Sequence, residues 1–75
     1  MNQKKFSISV KINGYNYTLQ TVKLFTILDL IHFLKYEPNL VLVEYQGIVC
    51  PKSYWTKFYI ENNSQIEFLT IVGGG

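Results

Sequence analysis

Two alternating runs joined by Asn13-Gly14 constrain this chain more than any other feature in it. Phe6, Ile8, Val10 and Ile12 alternate with Ser7, Ser9 and Lys11, the period of two of a half-buried strand. After Asn13-Gly14 the alternation resumes with Tyr15, Tyr17 and Leu19. Both turn residues tolerate positive φ, which a two-residue hairpin loop requires. Such a turn sets Ile12 against Tyr15, Val10 against Tyr17 and Ile8 against Leu19. Each pair joins apolar to apolar on one face, so turn and pattern select the same register.

Thr26 with Asp29 three residues on predicts a capped helix start. Ile27, Leu30, Ile31 and Leu34 then form one stripe that can lie on a sheet, with Asp29, His32 and Tyr36 on the opposite side. Pro38 is expected to stop the helix. Leu40 to Gln46 is apolar on both faces at its start, as in an interior strand, and Gly47 allows a turn. From Cys50 to Ile60 there is no clean period. Pro51 and Ser53 suggest a loop or short helical turn, and Trp55 is expected to anchor it, ring buried and N–H at the edge. Glu61 to Gln65 reads as a polar turn and Ile66 to Val72 as the last strand. The order is hairpin, helix, strand, irregular connection, strand. With the chain ends on neighbouring central strands, this predicts an α+β fold of the β-grasp type. Its mixed sheet has about four to five strands, with one main helix packed on one face.

Seventy-five residues allow one core, and a separate catalytic pocket would compete with that core for apolar side chains. The chain is 48% hydrophobic, which separates it from disordered tails. Its net charge of +2 comes from dispersed lysines without a single arginine, which argues against nucleic acid as the partner. Lys4-Lys5, the one adjacent basic pair, reads as solvated chain before the first strand. Cys50 is the only cysteine, so an internal disulfide and a cysteine-ligated metal site are excluded. It reads as a small, partly buried thiol, and His32 as a solvated histidine. No Ser/His/Asp, Cys/His or paired-carboxylate arrangement points to an independent enzyme, and no cofactor or metal is expected. The start of the chain lacks the apolar core of a secretory signal, and no apolar stretch is long enough to span a membrane. The abundance of Lys, Asn, Ile, Tyr and Phe without Arg points to an AT-rich coding genome.

The last strand runs directly into Gly73-Gly74-Gly75. Glycine loses the most backbone entropy on ordering and contributes nothing to packing. The expected organisation is a β-grasp domain over residues 1–72 and a flexible glycine tail over 73–75. Three extended residues reach roughly 10 Å. Without side chains they can enter a channel too narrow for a branched residue, so the ending suits a part used inside another protein.

Taken together, "INGYNY", the capped helix, "LVLVEYQGIVCPKSYW", "IEFLTIV" and the terminal "GGG" resemble the ThiS family of thiamin-pathway sulfur carriers. The resemblance covers nearly the whole chain, and its most specific parts are the terminal Gly-Gly and the Pro51-to-Trp55 segment. It implies a ubiquitin-like β-grasp whose C-terminal carboxylate, here that of Gly75, is adenylated by a ThiF-like adenylyltransferase using ATP. The adenylate is then converted to a thiocarboxylate with sulfur from a sulfur-donating protein, and that sulfur goes to the thiazole synthase ThiG. Gly74-Gly75 match the terminal Gly-Gly and Gly73 the extra glycine of some members; Gly73 and Gly74 would thread into the partner. The place of work implied is the bacterial cytoplasm, or the plastid stroma if the gene is organellar. The same ending also fits MoaD-type molybdopterin sulfur carriers and ubiquitin-like modifiers. A β-grasp binding module with an incidental tail is the reading from another class. The short single-helix middle and the Pro51-to-Trp55 segment favour ThiS.

Overall fold

Strands β1 (Phe6–Ile12) and β2 (Tyr15–Thr21) pair antiparallel through Asn13-Gly14, with Ile12 opposite Tyr15, Val10 opposite Tyr17 and Ile8 opposite Leu19. This is the register that the alternation predicts. The structure, a computed structural model, describes residues 4–71. Helix α1 (Ile27–Phe33) comes next, then β3 (Val41–Tyr45), β4 (Ile48–Val49) and β5 (Ser64–Thr70). The sheet order is β2-β1-β5-β3-β4. β5 lies parallel to β1 and antiparallel to β3, so the first and last strands are central neighbours and the sheet is mixed.

Helix α1 covers one face because its apolar stripe has the right period. Ile27, Leu30 and Ile31 are fully buried against Ile8, Val10 and Ile12 of β1, Val41 and Val43 of β3, and Ile66 and Phe68 of β5. The predicted capping box is present: the Thr26 hydroxyl accepts from Asp29 N–H at 3.1 Å, and Thr26 N–H donates to the Asp29 carboxylate at 3.0 Å. That backbone N–H, ahead of the opposing effect of burial, holds the Asp29 pKa below the ordinary carboxylate value.

The helix ends differently from the expectation. Tyr36 N–H donates to Ile31 O and Lys35 N–H to His32 O, a Schellman closure with Lys35 at φ 64°. The helix has therefore stopped before Pro38, which instead opens a single 3₁₀ turn over Pro38–Leu40. The left-handed residue also returns the chain to the domain. Tyr36 lies not on the outer side of the helix with Asp29 and His32 but against Phe68, ring centroids 4.9 Å apart. The last strand begins at Ser64 rather than Ile66, because Ser64 is buried opposite Val10.

Between Cys50 and Ile60 the chain makes a 3₁₀ turn over Lys52–Tyr54 and is fastened by Trp55. The indole ring is buried as the sequence predicts, 3% exposed, but its Nε1–H is not at the edge: it is buried too and donates to Cys50 O at 3.0 Å. Ile27 N–H and Leu28 N–H donate to Phe58 O and Trp55 O, so this segment also receives the first turn of α1.

Candidate docking face and chain exit

The face of the sheet away from α1 is open, and strand parity sorts its residues. On β1 and β2 it carries Ser7, Ser9, Lys11, Asn16, Thr18 and Gln20, all polar. On β3, β4 and β5 it carries Leu42, directly opposite Leu69, and Val49, opposite Glu44. Ile71 continues the β5 parity beyond Thr70, since its N–H donates to Leu40 O at 2.6 Å. Leu42, Val49, Leu69 and Ile71 are 50, 62, 53 and 46% exposed. A contiguous apolar patch therefore lies on one half of one face. It continues around Pro51 and Lys52 into a shallow groove, where Lys52 Nζ donates to Asn39 Oδ1. Beside the patch on the same face, Glu44 lies directly opposite Glu67, a like-charged cross-strand pair that is unfavourable in the free domain.

The end of β5 is held at this patch by a side chain outside the strand. β1 turns away at Gly14, which would leave Phe68 of β5 without a backbone partner on that side. The Asn13 amide fills the place: Oδ1 accepts from Phe68 N–H at 2.7 Å and Nδ2 donates to Phe68 O at 3.2 Å. Asn13 N–H donates to Ile66 O at 3.1 Å, so backbone and side chain together continue the parallel ladder past the turn. Sequence reasoning assigned Asn13 to the turn alone. The "NG" pair carries no sign of a second use, because the partner strand is far away in the chain.

The expected site residues Gly73, Gly74 and Gly75 lie outside the described residues, as does Val72. Cys50 is buried at 6% exposure, and burial pushes its thiol pKa up, so it is a poor nucleophile at neutral pH. His32 is exposed on the outer side of α1. Among the described residues no three His, Cys, Asp or Glu side chains converge as a metal site, and no helix is long and apolar enough to cross a membrane. The arrangement offers an apolar docking surface beside the point where the described chain ends at Ile71.

Comparison with known proteins agrees with this geometry. Residues 10–75 match the ThiS family. The chain is 42% identical over 65 residues to the uncharacterized protein ycf40 of Trieres chinensis, covering 85% of each chain. It is 30% identical over 69 residues to the uncharacterized protein ycf40 of Pyropia yezoensis, covering 92% of this chain and 94% of that one. The crystal structure of the thiamine biosynthesis protein ThiS from Geobacter metallireducens superposes with a TM-score of 0.78 at 25% identity, covering 91% of this chain and all of that one. A solution structure of a thiamine biosynthesis protein from the same organism gives a TM-score of 0.77, covering 91% and 88%.

Proposed function

Because this chain belongs to the ThiS family, we propose that it is a sulfur carrier of thiamin biosynthesis whose cargo is borne on the Gly75 carboxylate. One observation supports this most directly: β5 delivers the chain to Ile71 at the rim of an exposed apolar patch. A protein covering Leu42, Val49, Leu69 and Ile71 is thereby placed where the sequence continues into Val72 and the three glycines. Docking and tail capture become one event, and the apolar cover offsets the ordering cost of about 1–2 kcal/mol per glycine.

The chemistry asks little of the carrier. A free carboxylate is a poor acyl donor. In the active site of a ThiF-like adenylyltransferase, a Gly75 carboxylate oxygen attacks the α-phosphorus of ATP, and pyrophosphate leaves. The resulting acyl adenylate has an electrophilic carbon and a good leaving group. A sulfide-equivalent nucleophile from a sulfur-donating protein adds there, and AMP departs with its electron pair, leaving a thiocarboxylate at the chain end. ThiG, the thiazole synthase, then takes the sulfur. In this reading the chain is a co-substrate rather than an enzyme, and ATP is bound by the partner. It works in a bacterial cytoplasm or a plastid stroma.

Intact mass tests the reading. Incubation with a ThiF-type enzyme and Mg-ATP gives an AMP adduct, and addition of a sulfur donor exchanges one oxygen for sulfur. Deletion of Gly75 abolishes both. An unmodified chain beside an enzyme active on its own carrier overturns the assignment. Leu42→Asp and Leu69→Asp weaken adduct formation at least tenfold while the fold is retained, since both side chains are exposed and outside the core.

A further inference from the structure

Among the described residues β2 pairs only with β1, so its other side is a free sheet edge. Which backbone groups face outward can be read from β1. Asn63 N–H donates to Ser9 O, Ser9 N–H to Asn62 Oδ1 and Asn13 N–H to Ile66 O, so residues 9, 11 and 13 turn their polar groups toward β5. Residues 8, 10 and 12 therefore bond to β2, through 19, 17 and 15. Asn16, Thr18 and Gln20 are left pointing their N–H and C=O groups away from the domain. Protected edges usually carry lysine, proline or a bulge, or are very short. Tyr15–Thr21 has none of these devices and not one charged residue. Its side chains toward the α1 side, Tyr15 and Tyr17, are 71 and 48% exposed, since the helix covers β1, β5 and β3 but not this edge.

We infer that this edge pairs with β2 of a second copy, antiparallel about a two-fold axis at Thr18. The occupant is indicated by the symmetry of the strand itself. Centred on Thr18, the pairing sets Asn16 against Gln20 of the second copy and Thr18 against its own equivalent. All three outward residues then exchange both of their backbone bonds with a partner that also points outward. On one face amide meets amide and hydroxyl meets hydroxyl. On the other, Tyr17 meets Leu19 at a close, non-hydrogen-bonded position, where cross-strand side chains interact most strongly. No charge is set against a like charge at any position of the ribbon. A one-residue shift would set paired positions against outward ones and lose the ladder. A two-residue shift would keep the ladder but pair only two of the three outward residues, so the Thr18-centred register makes the most bonds. The apolar patch at Ile71 lies toward the opposite edge of the sheet, and two copies joined this way leave both chain exits free. A ribbon this narrow is at the small end of interfaces, so the dissociation constant falls at roughly 10–1000 μM and assembly is reversible.

Sedimentation velocity of the full chain across that concentration range is the test, with Thr18→Lys as the disrupting variant. Thr18 is exposed and its side chain meets no core residue, so circular dichroism should be unchanged. The expected result is a concentration-dependent dimer weakened at least tenfold by the opposed lysines. Thr18→Cys adds a geometric readout. The paired Cα atoms lie about 5.5 Å apart, within disulfide reach, whereas two Asn16→Cys residues sit at opposite ends of the ribbon. Mild oxidation should crosslink the first variant and not the second. A chain that stays monomeric throughout overturns the inference, even if a foreign extended peptide occupies the edge. So does a dimer indifferent to Thr18→Lys, or equal crosslinking of the two cysteine variants.

Discussion

The molecule contains two hairpins built on the same kind of turn and uses them differently. Asn13-Gly14 and Gln46-Gly47 both hold positive φ at both positions, 49° and 87° in the first, 54° and 81° in the second. After the first turn β2 runs the length of β1; after the second, β4 covers only Ile48–Val49. The turn is therefore not what sets strand length. Cys50 N–H makes one more bond to Val43 O, and after Pro51 the chain leaves the sheet into the 3₁₀ turn over Lys52–Tyr54. The two hairpins also hand the chain on differently. The first leads into a capped, periodic helix held by many similar contacts. The second leads into an aperiodic segment whose largest buried side chain is one indole, flanked by the smaller buried Cys50 and Ile60. In both, the first turn residue also reaches β5: Asn13 to Phe68, and Gln46, whose Oε1 accepts from Gln65 N–H at 2.7 Å.

If the segment after the second hairpin hangs on one ring, Trp55→Ala should be the most damaging change of those considered. Loss of a buried aromatic costs about 3–5 kcal/mol, measured by urea unfolding, and amide exchange should rise first between Cys50 and Ile60. Trp55→Phe keeps most of the packing but strands Cys50 O, and costs about 1–3 kcal/mol. A Trp55→Ala effect near 1 kcal/mol would mean the segment is held by distributed contacts after all, and the contrast with α1 would disappear.

Replacing Asn13 by glycine separates turn from clasp, since glycine keeps the left-handed φ and removes only the amide. The expected cost is about 2 kcal/mol, because Phe68 loses partners for both N–H and C=O. Gln46→Gly removes one exposed bond and costs about 0.5–1 kcal/mol. Equal effects would show that the two turns brace β5 alike. If the proposed function holds, the larger loss at Asn13 should also slow adduct formation, as the frayed end of β5 no longer holds Ile71 at the patch.

The capping box at the start of α1 is a smaller term with a distinct signature. Thr26→Ala costs about 1 kcal/mol. Asp29 has a lowered folded pKa, so its contribution is complete above the ordinary value of 3.8 and is lost as pH falls through the lower folded value. Stability therefore drops on acidification below that point, and Asp29→Asn removes this part of the drop. A pH profile unchanged by the substitution would sink the assignment.

How much of the molecule was legible depended on which interactions are local. The first hairpin, its register, the capping box and the buried stripe of α1 could all be read, since each depends on residues a few positions apart. Trp55 could be read as an anchor because a large ring with one donor has few other uses. Asn13 as a clasp, Ser64 as the true start of β5 and β4 as a strand could not, because each depends on a partner distant in the chain or on a run too short to show a period. The apolar half of the open face was legible only in part. Leu69 and Ile71 stand out on the last strand, but Leu42 and Val49 join them only once β3 and β4 are placed beside it.

The end of α1 was misread for a different reason, and it leads to the one change expected to stabilise. A Schellman closure normally carries glycine at the left-handed position; here Lys35 occupies it at φ 64°, and Pro38 drew the assignment instead. For a residue with a Cβ the left-handed conformation costs roughly 1–2 kcal/mol. Glycine removes that strain but gains roughly 0.5–1 kcal/mol of freedom in the unfolded chain. Lys35→Gly should therefore stabilise by about 0.5 kcal/mol, the difference between those terms. The shift in urea midpoint is small but its sign is diagnostic. Because Tyr36 N–H still closes onto Ile31 O, the Tyr36–Phe68 contact should be kept, and with it the position of β5 beneath the helix end. A loss of stability instead would mean that the lysine stem packs against the domain enough to outweigh its own backbone strain. The helix stop would then be held by that side chain rather than by the turn.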